Sequence, residues 1–184
     1  MALTLVTAPT DGVLLPLNDV LAFARIDGQD DDFTVRALIR AAVGELDGRD
    51  GFLGRALVTQ TWKLTACDFP EWEWCLPLPP LQSVSHIKYT NTSGVLTTVN
   101  SATYRVITDG DPCGMVIPVY GGAWPTDVRS EIGAVQVTFV AGYGDTAASV
   151  PEAIRTWLKR KVRALYDGTE PPPASDLNNW RVWS

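Results

Sequence analysis

The middle of the chain alternates apolar and polar side chains, and this period of two limits what it can fold into. Trp62, Leu64 and Ala66 fall on one side of a strand, with Thr61, Lys63 and Thr65 on the other, as expected for a strand with one buried face. Further strands are expected at 84–90, 95–99, 104–108, 115–119 and 135–140, with Asn91-Thr92-Ser93-Gly94 as a hairpin turn. Turn signals recur about every 8–12 residues, which leaves no room for crossover helices and points to antiparallel pairing. Pro70, Pro77, Pro79 and Pro80 punctuate the same region, so Trp72 to Leu78 can be at most an edge strand.

Helical periodicity flanks this segment on both sides. After an extended, irregular start over residues 1–15, Pro16 opens a short helix with Leu17, Val20, Leu21 and Ala24 on one face. Proline suits a helix start, where the first amides have no intrahelical partner. Asp30, Asp31 and Asp32 are expected at the N-terminus of a second helix, capping free amides and opposing the positive dipole end. That helix carries Val35, Leu38, Ile39, Ala42 and Leu46 on one face to about Asp47, is interrupted by Gly44, and ends in Gly48, Gly51 and Gly54. A third helix starts at Pro151 and Glu152, carries Ile154, Trp157, Leu158, Val162 and Leu165, and stops at Gly168. The expected class is α+β: an N-terminal helical pair (1–55) and a C-terminal helix (149–168) packed together. Between them lies an antiparallel sheet or small β-sandwich (56–148), and residues 169–184 form an extended tail.

The chain of 184 residues is long enough to bury roughly 70% of its unfolded surface, so a core needs no metal or disulfide. No apolar run approaches the roughly 18 residues of a membrane span, and the N-terminus lacks a secretory pattern; cytoplasmic synthesis is expected. Cys67, Cys75 and Cys113 form no CxxC pair and are expected as small buried apolar residues. Acidic residues concentrate between Asp27 and Asp50, and Arg155, Lys159, Arg160, Lys161 and Arg163 lie together on the last helix. This split disfavours a general nucleic-acid binder and suits two surfaces of opposite sign.

Catalytic and ligand-binding patterns are poorly supported. His86 is the sole histidine, with no recognisable partners for a triad or metal site. Asp109 to Gly114 has Asp at the first and third positions of a calcium loop and Gly at the sixth, but Tyr120 stands where the bidentate Glu belongs, so a tight turn is expected. Glu71 and Glu73 would lie about 7 Å apart on a strand, with nothing else marking a cleft. Gly142-Tyr143-Gly144-Asp145 lacks the lysine of a phosphate loop and is expected as a turn. No cofactor or metal is expected. Among the seven tryptophans, Trp62 and Trp157 sit on apolar faces. Trp72, Trp74, Trp124, Trp180 and Trp183 sit in irregular segments, where they could anchor a protein interface or, less readily, form a sugar-binding platform.

In order along the chain, Leu17 to Asp27, Gly54 to Trp62, Leu76 to Val84, Tyr104-Arg105-Val106, Trp124-Pro125 and Val137 to Asp145, running into Val150-Pro151, resemble the head–tail connector (adaptor) family of tailed phages. The similarity is to the branch with a β insert between helices, also found in gene transfer agents, and it covers about residues 14 to 167. The resemblance implies a non-enzymatic virion protein of the neck: a ring of identical subunits, twelvefold in the family, seated under the portal. Such a ring extends the DNA channel, passes genomic DNA without sequence-specific binding, and offers a platform to the next neck or stopper protein. Other neck roles (stopper or tail-completion protein) and a carbohydrate-binding module are the rival expectations.

A cyclic ring requires two different patches per subunit. The candidates are Asp30, Asp31 and Asp32 on the acidic helix and Arg155, Lys159, Arg160 and Arg163 on the basic one. The tail, with Trp180, Arg181 and Trp183, is expected to order only on assembly, docking its tryptophans into a portal or neighbouring subunit; the alternative is that it folds back over its own sheet.

Overall fold

The computed structural model describes residues 1–10, 12–26, 31–110 and 112–182. The chain forms two compact units, residues 1–8 with 60–142 and residues 9–59 with 143–184. The expected boundaries shift accordingly. The first eight residues belong with the sheet, and the tail belongs with the helices.

Among the described residues the first unit contains eight strands: β1 (Ala2–Thr7), β2 (Gln60–Ala66), β3 (Trp74–Cys75), β4 (Leu81–Thr90), β5 (Leu96–Thr98), β6 (Tyr104–Ile107), β7 (Met115–Pro118) and β8 (Val135–Ala141). They form a five-stranded sheet in the order β1-β2-β8-β4-β5 and a three-stranded sheet in the order β3-β7-β6. Every strand pairing is antiparallel; short connections join β4 to β5 and β6 to β7, and the other pairs join strands distant in sequence.

β2 and β8 alternate strictly between buried and half-buried positions. The register sets Leu64 opposite Val137 and Val137 opposite Ile87, so three apolar side chains line up across three strands. Two bulges in β4 bend the sheet there. β3 is a two-residue edge strand, as its prolines require. The hairpin turn closes as expected, with Gly94 N–H donating to the Asn91 carbonyl and Asn91 Oδ1 accepting from Ser93 and Val95 N–H.

Two expectations fail in this unit. Residues 2–7 are not irregular; they pair with β2, from Ala2 opposite Thr65 to Thr7 opposite Thr61. That pairing joins segments far apart in sequence, so no local pattern announces it. The cysteines are also not all buried apolar residues. Cys75 and Cys113, 38 residues apart, form a disulfide with Cα atoms 5.7 Å apart, and Cys67 is exposed.

The second unit holds α1 (Leu17–Ala24), α2 (Asp32–Leu46) and α3 (Glu152–Asp167). Val20, Val35, Ile39, Leu46, Ile154, Leu158 and Val162 interlock in one core with Trp157, as the helical spacing requires. Arg25, in the left-handed conformation, terminates α1, and α2 runs through Gly44, which faces open space. Gly51 is required: a Cβ there would lie 2.4 Å from the Leu46 carbonyl carbon and oxygen.

The tail is not an extended appendage. A 3-10 turn (Ala174–Trp180) buries Leu177 in the helical core. Trp157 Nε1 donates to the Pro173 carbonyl at 3.1 Å, Arg55 Nε to the Trp180 carbonyl at 2.5 Å, and Val182 N–H to the Leu53 carbonyl at 2.9 Å.

Candidate interface surfaces

The two charged helices meet each other. Lys161 pairs with Glu45 at 2.8 Å and lies over the Trp157 ring, and the Tyr166 hydroxyl donates to Asp31 Oδ2 at 2.6 Å. The Tyr166 pKa is raised by that hydrogen bond, with burial and the nearby carboxylate charges of Asp31 and Asp167 adding to it. Opposite charges on adjacent helices thus meet within the subunit, and the acidic and basic segments are not two wholly free patches.

Individual candidates fare differently. Asp31 occupies the cap position of α2 without a side-chain capping bond; its backbone carbonyl accepts from Val35 N–H. Asp32 sits in the first turn, with Oδ1 buried and without a hydrogen bond among the described residues. Arg155 pairs with Glu152, and Arg163 pairs with Asp167 and donates to the Ala24 carbonyl. Lys159 is half-buried and Arg160 exposed. Arg160 and Arg163 line an open groove of about 550 Å³ with Phe23 and Pro171, Pro172 and Pro173. The exposed side of α2 carries Arg36, Arg40 and Phe33, basic and apolar positions that the acidic clustering obscured. Asp30 and Trp183 lie outside the described residues, as does Asp111 of the calcium-like stretch.

Trp180 is half-buried against the helical core, and the Arg181 guanidinium sits 4.7 Å from the Phe52 ring centroid. Both contacts are made within the subunit, whereas the sequence suggested anchors for a partner. The reason is local. Leu177 needs an apolar site, and burying it brings its neighbours onto the same surface.

The tryptophans of the sheet unit are mostly interior. Phe69 stacks on Trp124 at 5.0 Å and meets Trp74 and Tyr89 edge-on at 6.0 and 5.8 Å. Trp124 Nε1 donates to the Trp72 carbonyl, and Trp62 Nε1 to the buried Gln60 side chain. Trp72 alone of the described tryptophans is largely exposed, at 71%, so the described tryptophans form no platform of several exposed rings. Glu71 and Glu73 flank it, both exposed. His86 is half-buried on β4, opposite Thr138. Among the described residues no group of three or more His, Cys, Asp or Glu could hold a metal ion, and no helix is long and apolar enough to cross a membrane.

The sheet unit also presents what sequence reasoning missed. β1 and β5 are the two outer edges of the five-stranded sheet, and both carry exposed apolar side chains: Leu5 and Val6 on β1, Leu96 on β5 and Val95 beside it. The available signal was composition, since neither segment contains a charge or a proline.

No protein-family model matches the chain, and no curated protein is similar to it. Solved structures do match, over the whole chain. A chain in the neck of an empty gene transfer agent particle, computed with C6 symmetry, superposes with a TM-score of 0.81 at 21% identity, covering 100% of this chain and 97% of that one. A chain of the native gene transfer agent virion gives 0.78 at 23%, and one in the native neck computed with C12 symmetry gives 0.76 at 20%, with the same coverage. The fold is therefore an α+β fold shared with a gene transfer agent neck chain.

Proposed function

We propose that this chain is a structural head–tail connector (adaptor) subunit, forming a ring beneath the portal of a tailed-phage-like particle or gene transfer agent. The carrying observation is the full-length match to a neck chain at a TM-score of 0.81. The ordered sequence blocks from Leu17 to Pro151 point the same way, independently of the coordinates. In this reading the subunit is made in the host cytoplasm and incorporated into the virion neck. Its ring, twelvefold as in the related family, is seated on the portal, extends the channel for genomic DNA and receives a downstream stopper protein. A net charge of −6 suits a conduit whose walls must not hold phosphates as DNA slides past. The work is structural rather than enzymatic.

The test is cryo-electron microscopy of DNA-filled, portal-bearing heads incubated with the purified protein. The expected result is a ring directly below the portal, twelve times the mass of the 20.0 kDa chain. Density separated from the portal by another ring would reassign the protein as a stopper. Heads that bind none of it, from a strain whose particles still join tails when the gene is deleted, would overturn the neck assignment.

A further inference from the structure

We propose that the open face of the five-stranded sheet receives the Glu71-Trp72-Glu73 loop of a neighbouring copy, so that subunits join head to tail. The inference rests on the ring reading above. The strand register defines the face. Lys63, Thr138 and His86 lie side by side on β2, β8 and β4, with Thr65, Gln136 and Lys88 in the next row. All six are half-buried, whereas Leu64, Val137 and Ile87, which alternate with them, are buried. One side of the sheet is core and the other is open. None of β1, β2, β4, β5 and β8 contains an aspartate or glutamate, although acidic residues outnumber basic ones by 21 to 15 in the chain. Lys63 and Lys88 form no ion pair among the described residues. Two strand spacings and one row separate them, about 12 Å between Cα atoms, a gap their long side chains can close around one loop.

The loop has the complementary chemistry. Glu71, Trp72 and Glu73 are all exposed, and neither carboxylate has a partner among the described residues. Its backbone is held from beneath. Trp124 Nε1 donates to the Trp72 carbonyl at 3.0 Å, and Phe69 stacks on Trp124 and meets Trp74 edge-on. A loop fixed in this way loses little freedom on docking, and a projecting tryptophan is a common interface anchor. In the joined pair its ring covers Thr65 and Thr138, and the flanking carboxylates reach Lys63 and Lys88.

A second copy of this chain is the occupant that supplies this loop, because a subunit cannot use its own. Phe69 and Trp74, at the two ends of the loop, belong to one aromatic cluster with Tyr89. Tyr89 alternates with Lys88 along β4, so its side chain points to the other side of the sheet. Loop and cationic face therefore lie on opposite sides of the sheet. Each subunit offers one to either neighbour, the heterologous contact that a ring larger than a dimer requires. Opposite charges fix the orientation of such a contact more than its strength, and Trp72 supplies the buried area.

Charge reversal tests this. Lys63→Glu with Lys88→Glu reverses the face, and Glu71→Lys with Glu73→Lys reverses the loop; circular dichroism should show both double variants folded as wild type. Assembly is measured by analytical ultracentrifugation and by incorporation into portal-bearing heads, with wild type in parallel. Each double variant alone should lose assembly by about tenfold or more, since like charges then meet. An equimolar mixture should recover it, because every face again meets a loop of opposite sign as the two alternate around the ring. Trp72→Ala, at an exposed site, keeps the test open if a reversed variant fails to fold. It too should lose assembly, and unchanged assembly overturns the contact. Wild type that assembles while both double variants assemble equally well overturns the loop-to-face contact and leaves the ring reading standing. Loss in each variant without recovery in the mixture overturns it too. If the face variant alone fails, and it has lost binding to a double-stranded DNA fragment that wild type retains, the lysines hold phosphates and the contact is overturned. Wild type that neither oligomerises nor enters heads overturns both.

Discussion

The two units of this protein handle exposed structure in opposite ways. The helical unit closes on itself. Its tail, residues 169–182, folds back, inserts Leu177, and satisfies the Trp157 indole and the Arg55 side chain. The sheet unit is locked inside by an aromatic cluster and a disulfide, yet leaves both outer strands of its main sheet without charged guards. Charge was the more visible sequence feature, but it is partly used within the subunit, at Glu45–Lys161 and Asp31–Tyr166. At the edges of the main sheet it is apolar side chains that are exposed, Leu5 and Val6 on β1 and Leu96 on β5. An assembly surface need not lie where the charges are densest.

The largest test of this contrast is truncation before Thr169. It strips the cover from the helical core and should destabilise that unit by about 4 kcal/mol, the scale of a large buried side chain deleted without repacking. Hydrogen exchange should report lost protection in α3 and residues 52–57 while β2 and β8 stay protected. Unchanged protection in α3 would mean that the tail only rests on the surface. It would also reopen a docking role for Trp180.

A smaller effect is expected on the other side. Replacing Cys75 and Cys113 with Ser releases a closed loop of 38 residues and should cost about 3 kcal/mol by restoring freedom to the unfolded chain. Urea unfolding followed by the fluorescence of the Trp74–Trp124 cluster should shift, with the α2–α3 helices unaffected. A common shift in both units would mean that they unfold together.

The smallest concerns pH. Burial raises the Tyr89 pKa above 10, and its 3.0 Å hydrogen bond to Asp127 and that carboxylate's charge raise it further. The folded state thus holds the proton more tightly than the unfolded one. The resulting stabilisation is complete below pH 10 and is lost as pH climbs from there through the raised value. Tyr89→Phe should flatten the alkaline fall in the sheet unit's stability while lowering it at neutral pH by about 1 kcal/mol, the worth of one hydrogen bond. An unchanged alkaline slope would assign that fall to other groups, with Tyr104, likewise raised by burial, the next in line.

Much of the fold was legible because periodicity is local. Trp62, Leu64 and Ala66 name their own face, as do Val35, Ile39 and Ala42, and the glycines at 48, 51 and 54 end their helix. The contribution of Asp31 was legible only as a helix start. Its carboxylate bonds Tyr166, 135 residues away, in place of the expected capping bond. Arg36 and Arg40 were hidden in a segment characterised by its carboxylates.

The sequence by itself determined the α+β class, the positions of the helices and most strands, and the ordered blocks that resemble a connector. Each depends on neighbours a few residues apart. Only the tertiary structure decided that residues 2–7 are an edge strand, that Cys75 meets Cys113, that the tail lies on the helices, and that the sheet ends in two uncharged edges. Those facts depend on pairs brought together across long stretches of chain, which closing the loops selects and no local pattern encodes.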